Sequence, residues 1–218
     1  MKINNYNQIK RTLPPEVKLV AVSKFQPVEN IMTLYNVGQR CFGENRPLEL
    51  RDKHVNLPKD IEWHFIGNLQ TNKIKYIISY VSLIHSIATS NLMLAVDKEA
   101  EKVDRVVDVL IEFHVAREES KHGFSIKEAK QFLASTEFSN MKHIRIVGVM
   151  AMASLTSDMD EVRTEFKTIK SYFDELKNLY FADAPWFKEI SMGMSHDYTI
   201  AVEEGATMVR IGTAIFAD

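Results

Sequence analysis

Short apolar runs alternate with longer amphipathic stretches along the whole chain. The runs are rich in Val, Ile and Phe with little polar alternation, which is typical of strands whose two faces are both buried. Eight of them are predicted as strands, over residues 17–23, 40–44, 62–67, 81–87, 108–115, 145–151, 188–193 and 208–212. This order of strands and intervening helices indicates a parallel sheet with right-handed crossovers.

The stretches between the strands carry helix signals. Pro27 stands where a first helical residue is expected. A Ser and a Glu with capping-box spacing, at 125 and 128, predict another helix start. Over 162–180, apolar residues recur at steps of three or four, which predicts a helix of several turns with a buried face. Gly205 is placed to end a short helix over 196–204.

Two topologies agree with this alternation. A doubly wound open sheet has the same periodicity, but eight strand–helix units that close on themselves leave no sheet edge. Because 218 residues are enough for a barrel and no Gly/Ser/Pro linker interrupts the chain, we predict one α/β domain over 1–218, a (β/α)8 TIM-type barrel. The irregular segments near 115–124 and 152–160 are predicted to be loops over the barrel mouth.

Composition and charge narrow the function classes. The chain is 45% hydrophobic with a formal net charge of -2, and no block of Lys and Arg indicates nucleic acid or an anionic membrane as a partner. No apolar run approaches the roughly 20 residues of a membrane span. With Cys41 as the one cysteine and no apolar core of a signal peptide at the start, we predict a cytoplasmic location.

Lys24 is the first candidate for chemistry. Sites in such barrels lie at the carboxyl ends of the strands, and Lys24 directly follows the first predicted strand. A partly desolvated lysine there has a lowered pKa, which frees its amine to attack a carbonyl group. A solvated lysine just past a strand is the competing interpretation.

A second group of candidates follows strands seven and eight. Ser195, at the start of a predicted helix, offers a hydroxyl and backbone N–H groups to an anion, or is simply the helix N-cap. Gly212 and Thr213 can offer N–H groups to a phosphate. Arg210 is predicted to point into the barrel mouth, where its partner is either Glu44 or a ligand acceptor.

Two other chemistries receive little support. His64, His85 and His114 lie on different strands without recognisable ligand spacing, so no metal is predicted and each is interpreted as a hydrogen-bonded core histidine. The adjacent residues 195–197 contain Ser, His and Asp, but sequence neighbours do not adopt the geometry of a catalytic triad.

At these segments the sequence resembles the pyridoxal phosphate homeostasis proteins (the YggS/PROSC type), whose barrel is similar to the N-terminal domain of alanine racemase. The matching stretches are LVAVSKFQP (19–27), GQRCFGEN (38–45), EWHFIGNLQTNK (62–73), EESKHGF (118–124), SMGMSHD (191–197) and GATMVRIGTAIF (205–216). Jointly these motifs are highly specific. Departures from the family pattern at Arg46, Asn68 and His196 affect the pocket rim and leave the predicted anchors intact.

The resemblance implies that pyridoxal 5′-phosphate (PLP) is the cofactor, held as a Schiff base on Lys24. By the same resemblance Arg210 faces the pyridine nitrogen. The residues implied to hold the phosphate or line the pocket are Ser195, Gly212 and Thr213, then Asn45, His64 and Met150. No catalytic residue is implied.

The expected role is that of a PLP carrier. An arginine donates to the pyridine nitrogen and disfavours a proton there, which makes the ring a poorer electron sink. Alanine racemase shares this arginine but takes its second base from another domain and subunit, for which 218 residues leave no room. We therefore expect a monomeric, non-enzymatic protein that stores PLP and delivers it to PLP-dependent enzymes. A PLP-dependent amino-acid racemase and an interaction module with vestigial PLP binding are the alternatives.

Overall fold

A closed barrel of parallel strands forms the centre of the computed structural model, which describes residues 2–116 and 122–217. The strands are β1 (Lys18–Val22), β2 (Cys41–Glu44), β3 (Glu62–Phe65), β4 (Leu83–Ile87), β5 (Val107–Glu112), β6 (Ile144–Met150), β7 (Glu189–Ser191) and β8 (Met208–Ile211). Each strand pairs with the next one along the chain, and β8 pairs with β1. The closed barrel is confirmed, and the open sheet is wrong.

Helices fill the connections between the strands. Their bounds are α1 (Lys2–Thr12), α2 (Val28–Asn36), α3 (Pro47–Asn56), a 3-10 helix (Thr71–Tyr76), α4 (Ser90–Glu101), α5 (Ile126–Leu133), α6 (Thr136–Ser139), α7 (Met159–Tyr180), α8 (Tyr198–Glu203) and α9 (Thr213–Phe216). In the part of the chain that the structure describes, no helix combines the length and the apolar character needed to cross a membrane.

The predicted helix signals hold with small corrections. Ser125 and Glu128 form a complete capping box at the start of α5. The long helix α7 is confirmed, and it begins three residues before the predicted apolar stripe. Pro27 is the N-cap of α2 and not its first helical residue, because its ψ of 160° is extended. The short helix α8 begins at 198 and not at 196, and Gly205, with a φ of +94°, follows its end as predicted.

Helix α1 was not predicted. Its buried residues Tyr6 and Ile9, followed by Leu13, have the spacing of one helical face. The helix packs against α9 and α2, beside the first and last strands of the barrel. This spacing is visible in the sequence, but it covers only three apolar residues and precedes the first strand of the strand–helix alternation.

The buried apolar side chains form two clusters. Most buried apolar side chains, including Phe42 and Trp63, form one cluster. A separate small cluster consists of Leu83, Leu110, Val147, Met150 and Met208, which come from β4, β5, β6 and β8. Because β8 pairs with none of β4, β5 and β6, Met208 joins the other four side chains across the barrel, and the small cluster fills the barrel interior.

The two segments predicted as loops, 115–124 and 152–160, are not equally well described by the structure. The predicted loop at 152–160 covers 151–158 in the structure, because α7 already begins at Met159, and Leu155 in this loop is 82% exposed. Of the stretch EESKHGF at 118–124, residues 118–121 lie outside the described part of the chain.

Candidate functional site

Lys24 lies two residues beyond the end of β1, at the carboxyl ends of the strands. Its side chain is exposed, so the partial desolvation predicted for it is wrong for this arrangement. The physical reason is that Lys24 already belongs to the connection that leaves the barrel, where the next residue, Phe25, is 61% exposed with a φ of 62°.

The backbone on both sides of Lys24 is tethered by polar groups. The carbonyl oxygen of Ser23 accepts a hydrogen bond of 2.7 Å from the Nζ of Lys53. On the other side, the N–H of Phe25 donates to an Oε1 of Glu49 at 2.8 Å. Lys24 therefore extends from a fixed backbone although its side chain is open to solvent.

Glu44 completes this support from β2. Its Oε1 accepts from the Nζ of Lys53 at 2.7 Å and from the hydroxyl of Ser23 at 2.6 Å, and the carboxyl group is fully buried. Burial raises its pKa, while Lys53 and Ser23 oppose that shift. The predicted alternative in which Glu44 pairs with Arg210 is wrong, because Lys53 is its partner. Sequence reasoning missed Lys53, although Glu49 and Lys53 have helical i,i+4 spacing.

Asn45 follows β2 beside the same mouth. A Cβ on Gly67 would lie 2.3 Å from the carbonyl oxygen of Asn45, so the two backbones meet only because residue 67 is glycine. The Oδ1 of Asn45 is buried and has no hydrogen-bond partner among residues 2–116 and 122–217. An unsatisfied buried acceptor costs about 1–3 kcal/mol, and a ligand donor would recover that cost.

Arg210 is held rigidly in the barrel interior. Its Nη1 donates to the carbonyl oxygen of Ser191 at 2.8 Å and to the Ser191 hydroxyl at 2.6 Å, and its Nη2 donates to the carbonyl oxygen of Ala151 at 2.9 Å. Its Nε–H and the second hydrogen of Nη2 have no acceptor within the described residues. Burial lowers the Arg210 pKa to about 10, against the effect of Glu112, so the group stays cationic at neutral pH.

The loops after β7 and β8 meet, as predicted for a phosphate site. The Ala214 N–H, in the first turn of α9, donates to the Oγ of half-buried Ser195 at 3.3 Å. A Cβ on Gly212 would lie 3.0 Å from the carbonyl oxygen of Val22, so the β8 loop lies against the strand end that leads to Lys24. Ser195 is not the N-cap of α8; Asp197 occupies that position. Thr213, which begins α9, is exposed at the same loop.

The other two predicted pocket residues lie deeper. Met150 ends β6 and is buried in the interior cluster. His64 is buried in β3 with its Nδ1 2.8 Å from the Nε2 of His85. It also lines a cavity of about 340 Å³ whose other walls include Lys18 and Glu62, at the amino-terminal ends of β1 and β3. The structure therefore brings Met150 beneath the mouth but places His64 towards the opposite end of the barrel.

One group among the described residues has the donors of a metal site. Potential ligand atoms of Cys41, Glu62 and His64 lie within 4.8 Å of one another. Burial raises the pKa of the Cys41 thiol, which disfavours the thiolate that binds metals, and the Glu62 carboxylate already accepts from Lys18 at 2.9 Å. The donor set fits a metal poorly.

A hydrolytic triad is not assembled at 195–197. The Nε2 of exposed His196 lies 3.3 Å from an Asp197 carboxylate oxygen, but the Ser195 hydroxyl accepts from the Ala214 N–H and has no bond to His196. His114 is half-buried, and the described residues give it no metal ligand neighbours.

Comparisons with known proteins agree on one family. The family model of the alanine racemase N-terminal domain matches residues 3–218. A pyridoxal phosphate homeostasis protein of Aquifex aeolicus is 41% identical over 202 residues, which cover 92% of this chain and 86% of the relative. A protein of the same name from Synechocystis is 36% identical over 220 residues, covering 98% of this chain and 96% of the relative.

Two solved structures share this fold. PipY of Synechococcus elongatus, solved with PLP bound, is 32% identical and superposes with a TM-score of 0.89 over 100% of both chains. Alanine racemase of Clostridium difficile is 16% identical with a TM-score of 0.73, and the match covers 100% of this chain and 56% of the racemase. The second likeness concerns the fold alone.

Proposed function

The chain belongs to the pyridoxal phosphate homeostasis proteins of the alanine racemase N-terminal domain family, and from this premise we propose that it binds PLP at the barrel mouth as a Schiff base on Lys24. Its role in this proposal is to store the cofactor and deliver it, without catalysing a reaction on it. One observation carries the proposal: the β8 loop with Gly212 lies against the end of β1, so an amine and a phosphate cradle share one mouth.

The groups at this mouth match the chemistry of PLP. Ser195 and the first turn of α9 offer donors to the phosphate dianion. Arg210 has a donor, Nε, without a protein acceptor in the described chain, and it is suited to the pyridine nitrogen. The Oδ1 of Asn45 is a further buried polar atom beside this mouth that has no hydrogen-bond partner among the described residues. Relatives named for PLP homeostasis and the PLP-bound PipY support the same ligand.

The exposure of Lys24 agrees better with delivery than with catalysis. A Schiff base on Lys24 would form with loss of the aldehyde oxygen as water, and water or an incoming amine would break it. An exposed Lys24 would leave this bond open to both. Catalytic sites exclude water to protect reactive intermediates.

Arg210 would restrain carbanion chemistry on a bound PLP. Because it is a cation at neutral pH, it would donate to the pyridine nitrogen and disfavour a proton there. PLP stabilises carbanions as an electron sink, and an unprotonated ring is a weaker sink. The cytoplasmic location, the monomeric state and the single-domain organisation predicted from the sequence stay predictions.

The test is trapping of the imine. We expect the purified protein incubated with PLP to show an absorbance band that borohydride abolishes, with the reduced adduct mapped to the peptide that contains Lys24. Lys24→Ala should lose the adduct, and Lys75→Ala, which alters an exposed lysine of the 3-10 helix, should keep it. An adduct of equal yield in Lys24→Ala contradicts the site. Lys24-dependent exchange of an amino acid α-proton into heavy water contradicts the non-enzymatic role.

A further inference from the structure

A continuous chain of buried hydrogen bonds crosses the barrel interior. Arg210 donates to the Ser191 hydroxyl at 2.6 Å. That hydroxyl oxygen is 2.9 Å from the Nδ1 of His85, and the Nε2 of His85 is 2.8 Å from the Nδ1 of His64. All four side chains are buried, with at most 5% of any residue exposed. The first member belongs to the proposed cofactor site, and the last lines the cavity at the other end of the barrel.

The arginine determines the direction of every bond in this chain. A guanidinium has no acceptor, so the Ser191 oxygen must accept from Arg210. Within the described residues, the only acceptor left for the Ser191 hydroxyl hydrogen is the Nδ1 of His85. If His85 instead carried a hydrogen on Nδ1, the buried hydroxyl hydrogen would have no partner, at a cost of about 1–3 kcal/mol.

The hydrogen positions on both histidines follow from the acceptor role of the His85 Nδ1. With Nδ1 as acceptor, a neutral His85 carries its hydrogen on Nε2 and donates it to the Nδ1 of His64. His64 then carries its hydrogen on Nε2 as well. Burial lowers the pKa of both imidazoles, and Lys18 lowers them further, so both rings are neutral at physiological pH. We call the hydrogen-bonded series Arg210–Ser191–His85–His64 the relay. Its hydrogens have one arrangement, with both rings in the Nε2–H form.

We propose that His85 is a positioning residue for Arg210, acting through Ser191 and itself fixed by His64. The relay holds the guanidinium in one orientation and would thereby aim the Nε–H at the pyridine nitrogen of the cofactor; this role rests on the proposed function. Glu112 and Asp197 are the opposing charges that raise the pKa of Arg210, and neither forms a hydrogen bond with Arg210 among the described residues. Orientation therefore comes from the neutral relay and from the two backbone carbonyls.

The first test needs no cofactor. Long-range proton–nitrogen spectra of the protein with ¹⁵N-labelled histidine report the hydrogen position on each ring, and His64→Gln and His85→Asn assign the two buried signals. We expect both rings to show Nε2–H at neutral pH. An Nδ1–H form on either ring overturns the relay, whether or not the protein binds PLP.

The second test reads the pyridine nitrogen directly. The ¹⁵N chemical shift of ring-labelled PLP is measured bound to the wild type, to His85→Leu and to His85→Asn, whose amide occupies the Nδ1 side of the ring. In His85→Leu we expect a changed shift and PLP binding weakened about three- to tenfold, the effect of one net hydrogen bond. In His85→Asn we expect a shift close to the wild type. Equal shifts and affinities in wild type and His85→Leu overturn the proposal.

Two controls distinguish a loss of the relay from a loss of folding and from a failure of the proposed function. Where His85→Leu does not fold, Ser191→Ala replaces it, because this change removes the hydroxyl and leaves the carbonyl oxygen that Arg210 also uses. We expect the same change of shift there, and an unchanged shift overturns the relay. A wild type that borohydride cannot label on Lys24 refutes the proposed function, whereas the histidine spectra still decide the relay.

Discussion

The ammonium group of Lys53 lies 2.7 Å from the carbonyl oxygen of Ser23, the residue before Lys24. The same ammonium lies 2.7 Å from carboxylate oxygens of both Glu44 and Glu49. One nearly buried cation on α3 thus links the end of β1, the end of β2 and its own helix. Although Lys24 is exposed, the backbone from which it extends depends on this cation.

Replacing Lys53 by Met tests that dependence. The change leaves Glu44 buried without its counter-charge, and breaking a buried pair in this way typically costs about 3–5 kcal/mol. We expect a loss of that size in the free energy of urea unfolding and a lower yield of borohydride-trapped PLP. Adding Glu44→Gln to Lys53→Met should recover part of the loss. Arg51→Met, which breaks an exposed pair with Asp52 on the same helix, should change stability by less than about 1 kcal/mol.

The barrel itself was predictable from the sequence. Buried parallel strands have near-continuous apolar runs, and all eight runs became strands within a few residues of the predicted bounds. The placement of Ser195, Arg210 and Gly212 at one mouth followed from the same rule, because the carboxyl ends of barrel strands meet. Periodicity plus topology thus determined which residues share an end of the barrel.

The partners of these residues could not be predicted. The sequence leaves Glu44 open as a partner for Arg210, but whether Lys53 reaches Glu44 depends on the angle at which α3 packs on the barrel. The resemblance implies His64 at the cofactor, whereas its height along β3 directs it to His85 and the cavity at the other end. The pattern of apolar residues does not show how far along the barrel axis a side chain lies or at what angle a helix packs. The partners in these polar networks therefore follow only from the three-dimensional structure.

Arg210→Lys is expected to weaken cofactor binding without unfolding the protein. A lysine keeps the positive charge but cannot donate to both Ser191 and Ala151 from a fixed planar fork. A charge-assisted hydrogen bond contributes about 1.5–3 kcal/mol, which corresponds to a dissociation constant for PLP raised by roughly one to two orders of magnitude. Equilibrium dialysis measures this change. Arg145→Lys, which alters the exposed pair with Asp108, is the matched control, and an equal loss there would refute the assignment.

The buried histidines predict a stability that falls in acid. The pKa of His64 is lowered by burial to about 3 in the folded protein, against about 6.5 in an unfolded chain. As the pH falls below about 6.5, the unfolded chain takes up a proton that folded His64 does not. Stability is therefore present above pH 6.5 and is lost towards pH 3, by up to about 1.4 kcal/mol per pH unit for this histidine.

Urea unfolding of wild type and His64→Gln at pH 7, 6 and 5 measures this contribution. The difference in stability between the two proteins should shrink or reverse as the pH falls, because the variant has no imidazole at this position to protonate in its unfolded chain. His143→Gln, a histidine outside the strands, keeps both buried rings and should follow the wild type. Parallel curves for wild type and His64→Gln would contradict a neutral buried ring.

Ser195→Ala tests the phosphate end of the site. The Ser195 hydroxyl already accepts from the Ala214 N–H, so its hydrogen is available to a phosphate oxygen of a ligand at the β7 and β8 loops. We expect Ser195→Ala to weaken PLP binding about tenfold, the value of one hydrogen bond to a charged group, and to change binding of pyridoxal, which lacks the phosphate, by much less. Competition dialysis with both ligands measures the ratio. Ser139→Ala, on helix α6, is the matched control. A loss of equal size for PLP and pyridoxal would assign Ser195 to the loop conformation and leave the phosphate to other donors.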